Sequence, residues 1–335
     1  MAIILKTKSI YFNDVNLIPT IGKIKSRKDV PNELFRIIVS PMLAVVGETF
    51  IKGAAKLGLS VATPRFISME NKIKLCSIFN NNRINNKQLC FLSIGINETN
   101  EDLEKLSHNT IHRELLFDVA NGYIPQLADK IKDVYNEIGR INSLMVGNVA
   151  TDIGVRNLAD NLSKYCHQLF IRIGIGNGSP CSSSDVAAIN RGQITELIEC
   201  SPKKEFFNQI RLVSDGGISK SGFALKAFGA GADYCLMGGY FSKALEAETH
   251  ISGDGTYFGC ASEKQNKLAK LNKHSEGKEF KVDKETLKPL KYLVDELQGG
   301  IASGISYSGY SSVEEFIGNG VFEIKQNSLP PKNRK

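Results

Sequence analysis

A glycine-rich loop followed by a cysteine and three serines is the stretch of this sequence best suited to chemistry. Residues 173–184 read Ile-Gly-Ile-Gly-Asn-Gly-Ser-Pro-Cys-Ser-Ser-Ser and follow an apolar run that starts at Gln168. Because glycine lacks a Cβ, such a loop lets its backbone approach a ligand or an ion closely. Cys181 at its end is suited to act as a nucleophile. The alternative is a glycine turn beside an ordinary cysteine, since a glycine-rich loop alone is a weak signal.

Paired glycines follow two later apolar runs, in Asp215-Gly216-Gly217 and in Gly238-Gly239. Backbone N–H groups of such glycines, with the N-terminus of a following helix, can bind phosphate. The negative charge of Asp215 would repel phosphate, so its carboxylate is better suited to accept hydrogen bonds from ribose hydroxyls. Together these residues suggest a nucleoside monophosphate. The alternative for Asp215 is an N-cap of the next helix.

Ser183 and Glu276 could form a proton relay to a group that is added to, or lost from, the carbon attacked by Cys181. A thiolate suits that attack because it is nucleophilic near neutral pH and leaves readily. His274, next to Ser275 and Glu276, is the one histidine with a suggestive position, although a solvated surface histidine is the simpler interpretation.

Eight short apolar runs alternate with helix-like segments, and they predict the elements that position these residues. Near-continuous apolar runs are typical of strands buried on both faces, as in parallel sheets. Eight β/α units predict a single (β/α)8 TIM barrel of the α/β class, whose active site lies at the C-terminal ends of its strands; a doubly wound sheet is the runner-up. The runs are Phe35–Ser40, Leu59–Thr63, Cys90–Gly95, Leu115–Val119, Leu144–Gly147, Leu169–Ile173, Ile210–Ser214 and Tyr234–Met237.

Three segments lie outside the repeat. Residues 1–34 are expected to form an N-terminal extension, and residues 326–335 a basic disordered tail after a barrel domain of residues 35–325. Residues 240–283 separate the eighth strand from a last helix expected at Glu285–Leu297. Long loops in compact domains are usually lids or disordered segments. We therefore expect a lid that reaches the barrel mouth, with a solvated charged loop as the alternative.

Composition limits the class of protein. The chain has 335 residues and a net charge of +7, which suits an anionic small substrate. No basic run is interleaved with aromatic residues, so nucleic acid is not expected as a partner. No apolar run reaches the ~18 residues of a membrane span. The cysteine count is seven, an odd number with no CxxC pair, which predicts reduced thiols in a cytoplasmic protein rather than disulfides or a zinc site.

Six short motifs, in this order along the chain, resemble the inosine monophosphate dehydrogenase and guanosine monophosphate reductase family. The resemblance runs from about Phe12 to Tyr310. It is closer to the reductases, because no regulatory insert follows the second strand and because Ser275-Glu276-Gly277 matches the reductase lid. The motifs are Asp118–Tyr123, Gly174–Cys181, Ser214–Gly217, Lys226–Asp233, Met237–Gly239 and Ser275–Lys278.

The resemblance implies deamination of GMP, or of a related guanine nucleotide such as dGMP, to IMP and ammonia with hydride from NADPH. Cys181 would form a thioimidate at purine C2, while Ser183 and Glu276 would protonate the departing amine. Residues that would hold the substrate are Ser179, Asp215, Gly216, Gly217, Gly238 and Gly239 at the ribose and phosphate, and Gly259, Cys260, Ala261, Lys273, Ser275 and Gly277 at the base.

The resemblance also implies a cofactor site, a potassium site and a homotetramer. The expected potassium ligands are the carbonyls of Gly176 and Gly178. The NADPH contacts would be Asp118, Val119, Ala120, Ile175, Gly176, Ser303 and Ser306, with Ser26 and Arg27 of a neighbouring subunit.

Two other functions remain open from the sequence. One is an IMP dehydrogenase that lacks the regulatory insert and converts IMP and NAD to XMP. The other is a barrel that binds purine nucleotides without catalysis, although such a protein would not need Cys181, Ser183 and Glu276 together. Ser182-Ser183 stands where the family usually has two threonines, and Lys273 stands where the lid usually has arginine.

Overall fold

The eight apolar runs form the strands of a closed parallel barrel with helices outside it, as predicted. The computed structural model describes residues 8–108, 113–178, 186–202, 208–269, 275 and 277–325. Each barrel strand pairs with the next along the chain, and the last pairs with the first. The barrel strands are β2 (Ile37–Val39), β3 (Ser60–Ala62), β4 (Cys90–Ile94), β5 (Glu114–Phe117), β6 (Ile141–Val149), β7 (Cys166–Ile173), β8 (Ile210–Asp215) and β9 (Tyr234–Met237).

One apolar side chain from each strand fills the barrel interior. This buried cluster is closed by aromatic contacts, with ring centroids 5.2 Å apart for Phe91 and Phe170 and 5.1 Å apart for Phe170 and Tyr234. Its members from the strands are Ile38, Ala62, Phe91, Leu116, Met145, Phe170, Val213 and Leu236.

A polar layer lies above this apolar layer. Side chains alternate between the two faces of a strand, so the residue two positions further along each strand also faces the interior. At seven of these eight positions the chain has a polar residue or glycine, and the eighth is Pro64 after β3. The seven are Ser40, Ser93, Asp118, Gly147, Arg172, Asp215 and Gly238. The interior of the barrel therefore changes from apolar to charged toward the C-terminal ends of its strands.

Helices cover the outside of the barrel. Side-chain caps define several helix starts: Ser68, for example, accepts a hydrogen bond from the backbone N–H of Asn71, and Thr151 accepts one from Gly154. The helices are α1 (Glu48–Lys56), α2 (Met69–Asn80), α3 (Asn100–Ser107), α4 (Pro125–Ile138), α5 (Asp152–Leu162), α6 (Gln193–Cys200), α7 (Ser221–Gly229), α8 (Glu248–Ile251), α9 (Glu263–Leu268), α10 (Leu290–Tyr307) and α11 (Val313–Phe316). None of these helices is long and apolar enough to cross a membrane.

The segments outside the repeat are more ordered than the sequence suggests. In the N-terminal segment, β1 (Val15–Leu17) pairs antiparallel with β12 (Phe322–Ile324) from the end of the described chain. Within residues 240–283, β10 (Thr256–Phe258) pairs antiparallel with β11 (Glu279–Lys281). The last long helix differs from the expected Glu285–Leu297, because α10 begins at Leu290, after Pro289, and continues to Tyr307.

Glycine is required where β7 and β8 end against each other. Gly174 has φ +133°, and a Cβ on it would overlap the carbonyl oxygen of Asp215. Gly147 has φ +146°, and a Cβ there would lie 2.7 Å from Cβ of Arg172. These glycines let neighbouring strand ends approach closely at the polar layer.

We expect Gly174→Ala to lower the free energy of unfolding by more than about 2 kcal/mol, because it combines backbone strain with a steric overlap against main chain. Gly299→Ala in the exposed part of α10 is the matched control, since no atom lies within 4 Å of its Cβ position. The control should be neutral or stabilising by up to about 1 kcal/mol. Urea denaturation at one pH measures both, and equal midpoints for the two variants would contradict the close approach at Gly174.

Candidate active site

A buried arginine between two aspartates lies at the centre of the polar layer. Arg172 on β7 donates from Nη1 to Oδ1 of Asp118 at 2.8 Å, and from Nε and Nη2 to Oδ2 of Asp215 at 3.0 and 2.8 Å. The arginine is 8% exposed and Asp118 is 7% exposed. Three strand ends, those of β5, β7 and β8, are thereby joined by one guanidinium.

Burial alone would lower the pKa of the Arg172 guanidinium, but attraction to Asp215 and Asp118 outweighs it and raises the pKa above its ordinary value. The group therefore stays charged. Because a guanidinium presents its N–H groups in a fixed fork, Arg172 fixes the orientation of both carboxylates.

The two carboxylate oxygens of Asp215 differ: Oδ2 accepts several hydrogen bonds, whereas Oδ1 has no partner among the described residues. Its Oδ2 also accepts from Nδ2 of Asn148 at 2.7 Å, and that amide bonds the carbonyl of Gly174 at 2.7 Å. Within the described part of the chain, Oδ1 of Asp215 accepts no hydrogen bond. The helix that follows starts at Ser221 with Lys220 as its N-cap, so Asp215 is not a helix cap.

The glycine loop after β7, predicted to lead to the nucleophile, lies against the glycine pair after β8, predicted to bind the nucleotide. A Cβ on Gly216, which has φ +93°, would lie 2.9 Å from the backbone N of Gly178 and 3.1 Å from the carbonyl carbon of Asn177. Gly217 has φ +74°, and its Cβ position lies 3.3 Å from the carbonyl oxygen of Asn177. The loop after β7 therefore packs on the loop after β8.

A buried tyrosine hydroxyl faces the second glycine pair. A Cβ on Gly238 would lie 2.5 Å from the hydroxyl of Tyr257, and one on Gly239 would lie 3.9 Å from it. Tyr257 is 2% exposed, and its hydroxyl makes no hydrogen bond to a described residue. Burial raises the pKa of Tyr257, so this hydroxyl is a neutral donor at physiological pH.

Four of the residues expected at the base, Cys260, Ala261, Ser275 and Gly277, lie close together at the barrel mouth. The thiol of Cys260 lies 3.9 Å from the sulfur of Met42, which follows β2. Burial raises the pKa of Cys260 to about 12, which keeps it a thiol. The carbonyl of Ala261 accepts hydrogen bonds from the Gly277 backbone at 3.1 Å and the Ser275 hydroxyl at 3.3 Å.

A cavity of about 640 Å³ opens beside Asp118. It lies at the C-terminal ends of three consecutive strands, β3, β4 and β5, and two predicted cofactor contacts, Val119 and Ala120, line it. The rest of its wall comes from Arg65–Met69 and Lys72, from Gly95–Glu98, from Asp102, and from Asn121 and Ile124. This volume is in the range of small-molecule sites.

Arg65 connects the cavity to the ion network. Its guanidinium donates to the carbonyl of Asp118 and lies 4.2 Å from the centroid of the Phe66 ring. Deeper in the wall, Lys72 is 2% exposed and pairs with Glu98 at 3.3 Å. Burial lowers the pKa of Lys72, although Glu98 partly opposes the shift. Positive side chains thus border the cavity on the side of α2.

The other predicted cofactor residues lie on the outer helical layer. Nη1 of Arg27 donates to the hydroxyl of Ser303 on α10 at 3.0 Å, so these two meet within one chain. Ser26 caps the short turn that starts at Arg27, and Ser306 lies one helical turn beyond Ser303. Among the described residues, none of these four borders the cavity beside Asp118.

Five predicted site residues lie outside the described residues: Ser179, Cys181, Ser183, Lys273 and Glu276. The structure does describe the residues on both sides of Ser179, Cys181 and Ser183. Ile175, Gly176 and Gly178 lie in the loop after β7, and a Cβ on Gly176, with φ +81°, would lie 2.8 Å from the carbonyl of Ile189.

Sequence reasoning missed Arg172, Arg65 and Tyr257 and gave Asn148 no role. A signal exists for Arg172, because a charged residue inside an otherwise apolar strand must be paired when it is buried. Tyr257 and Arg65 carry no such local signal, since their roles depend on segments distant in sequence.

A buried carboxyl supports the loop after β7 from below. Glu196 on α6 is 0% exposed, and its Oε2 accepts from Nδ2 of Asn177 at 3.4 Å. Burial raises the pKa of Glu196 to about 9, with Arg191 opposing the shift and Glu199 adding to it. The side chain is therefore a neutral acid at physiological pH.

Comparison with known proteins gives a family and named relatives. Residues 10–329 match the model of the IMP dehydrogenase / GMP reductase domain. A GMP reductase of Onchocerca volvulus is 27% identical over 340 residues, covering 93% of this chain and 89% of the relative. A GMP reductase of Caenorhabditis elegans is 27% identical over 338 residues, with 93% and 90% covered. Human GMP reductase 2 is 30% identical over 211 residues, with 60% and 58% covered.

Glu196→Gln should change how stability depends on pH. The native carboxyl, with its pKa near 9, keeps a proton that the unfolded chain releases above the ordinary value of 4.5. Wild-type stability should therefore fall, relative to the variant, by up to about 1.4 kcal/mol per pH unit between pH 5 and 9. Thermal unfolding of both proteins from pH 5 to 9 measures the difference, with Glu137→Gln at an exposed position of α4 as control. Parallel curves would contradict a buried neutral carboxyl.

Proposed function

Because the chain belongs to the family of the IMP dehydrogenase / GMP reductase domain, we propose that it is a GMP reductase. The reaction would be NADPH-dependent deamination of GMP, or of a related guanine nucleotide such as dGMP, to IMP and ammonia. One observation carries the substrate class: Asp215 is oriented by Arg172 through one oxygen and keeps the other free of described partners beside glycine pairs. The names of the relatives favour the reductase over the dehydrogenase.

We propose that the nucleotide lies across the ends of β7, β8 and β9. Oδ1 of Asp215 would accept hydrogen bonds from ribose hydroxyls, and the glycine pairs 216–217 and 238–239 would donate backbone N–H groups to phosphate. The neutral hydroxyl of Tyr257 next to Gly238 would donate another bond. Ser179 would add a hydroxyl from the loop after β7. The base would be framed by Gly259, Cys260, Ala261, Lys273, Ser275 and Gly277.

The proposed chemistry uses three residues of the chain. The Cys181 thiolate adds to purine C2, and the amine leaves that carbon as ammonia, giving a thioimidate. Glu276, through Ser183, supplies the proton that the leaving amine takes up. Hydride delivered to C2 then breaks the carbon–sulfur bond and releases IMP and the thiolate.

We propose that the cavity beside Asp118 receives the nicotinamide dinucleotide. NADPH would supply the hydride for C2. The fit is supported by the cavity volume, by Val119 and Ala120 in its wall, and by the guanidinium of Arg65, which is suited to a phosphate-bearing ligand. Ile175 and Gly176 would contact the cofactor from the loop after β7.

Ser303 and Ser306 on α10 would contact the cofactor together with Ser26 and Arg27 of a neighbouring subunit, which requires an oligomer. The family resemblance implies that this oligomer is a homotetramer. Carbonyls of Gly176 and Gly178 would hold a potassium ion, as hard cations prefer oxygen ligands. The six cysteines among the described residues are free thiols, which supports a reducing cytoplasmic location.

The proposal predicts that GMP makes the protein oxidise NADPH and form IMP and ammonia in equal amounts. Cys181→Ser should lower turnover at least about a thousandfold while GMP still binds, because the covalent step is lost. Cys166→Ser is the matched control, as Cys166 starts β7 at the opposite end of the barrel. NADH formation from IMP and NAD would indicate a dehydrogenase instead. GMP binding without any turnover would indicate a non-catalytic purine-binding protein.

A further inference from the structure

The inner face of α6 makes polar contacts with both loops of the candidate site. Gln193 is 1% exposed, and the two N–H groups on its Nε2 face three acceptors: the carbonyl of Ile173 at 2.8 Å, the hydroxyl of Ser214 at 3.1 Å and the carbonyl of Asp215 at 3.2 Å. A single side chain therefore ties the end of β7 to the end of β8.

Glu196, one helical turn later, supports the loop after β7 from the same face. Within the described residues, its side chain makes one hydrogen bond, to Asn177. The nearby Arg191 does not bond Glu196, because its donors are used by other groups. Arg191 donates to both oxygens of Glu199 at 2.5 and 2.6 Å, and to the carbonyl of Ala150 at 3.0 Å. Among the described residues, Oε1 of Glu196 and Oε1 of Gln193 have no hydrogen-bond partner.

Asn177 contacts both Glu196 and the glycines of the proposed nucleotide site. Its carbonyl carbon and oxygen lie 3.1 and 3.3 Å from the Cβ positions of Gly216 and Gly217, so the residue lies between Glu196 and the glycines after β8. Cys181 follows Asn177 by four residues. A shift of Asn177 would therefore change the contact between the described end of the loop that leads to Cys181 and the proposed phosphate site.

We propose that Gln193 and Glu196 are positioning residues, which set the separation between the loop that leads to Cys181 and the loop of Asp215–Gly217. The inference rests on the proposed function, since it assigns these loops to nucleophile and nucleotide. Glu196 contributes as a hydrogen-bond acceptor to Asn177 and not as a charge. An apolar side chain of similar size would fill the same space without holding the amide.

The test compares Glu196→Leu with the conservative Glu196→Gln. Glu196→Leu should lower kcat by about 10- to 100-fold, because misplacement of a reacting group by about 1 Å has effects of this size. KM for NADPH should rise as well in this variant, because Ile175 and Gly176 of the same loop are proposed cofactor contacts. Glu196→Gln, which keeps the acceptor, should stay within threefold of wild-type kcat. Glu137→Leu on the exposed face of α4 is the control and should stay within twofold of wild-type kcat.

Asn177→Ala removes the donor instead of the acceptor and leaves the helix interior unchanged. It should reproduce the loss of kcat, so the proposal stays testable if Glu196→Leu does not fold. Wild-type kcat in both Asn177→Ala and a folded Glu196→Leu would overturn the positioning role.

Hydrogen exchange of peptides that span residues 174–178 and 215–217 gives a readout independent of turnover. Exchange should rise in Glu196→Leu and Asn177→Ala but not in Glu196→Gln. If wild type lacks GMP reduction while exchange rises as expected, the proposed function is wrong and the contact between the loops stands. If wild type is active while exchange and kcat are unchanged in both variants, the positioning inference is wrong and the function stands.

Discussion

The buried charge of Arg172 is the constraint on which the mouth of this barrel depends. A guanidinium taken out of water is tolerated only when it is paired and hydrogen-bonded, and removing one partner of a buried pair typically costs about 3–5 kcal/mol. Asp118 and Asp215 supply those partners from the ends of β5 and β8, which lie on either side of Arg172. This arrangement also restricts the sequence, because Gly147 and Gly174 must stay without side chains for the strand ends to approach.

This network determines which atoms of the candidate site are available to a ligand. Oδ2 of Asp215 is occupied by Arg172 and Asn148, so the remaining oxygen is the one available to a ligand. The loops on either side are placed by backbone contacts and by the inner face of α6. Asp118, held by Arg172, directly precedes Val119 and Ala120 in the wall of the cavity, so the ion network joins the proposed substrate site to the edge of the proposed cofactor site.

Much of the architecture was predictable because its signals are local. The eight apolar runs and the glycines, aspartates and asparagine that follow them indicate a barrel with a functional C-terminal face. The pairing of Arg172 could not be located, since the inward face of β7 is known only once the barrel is closed. The same holds for Tyr257, which reaches Gly238 from β10. The order within residues 240–283 was underestimated, because the pairing of β10 with β11 joins segments more than twenty residues apart.

A double-mutant cycle for GMP binding tests most directly whether Arg172 orients Asp215 for the nucleotide. The four proteins are wild type, Arg172→Lys, Asp215→Asn and the double variant; lysine keeps the charge of Arg172 but cannot present its fork of donors. If Arg172 acts through Asp215, the loss of binding in the double variant will fall short of the sum of the single losses by at least about 1 kcal/mol. Additivity within about 0.5 kcal/mol would contradict that dependence, because independent sites behave in this way.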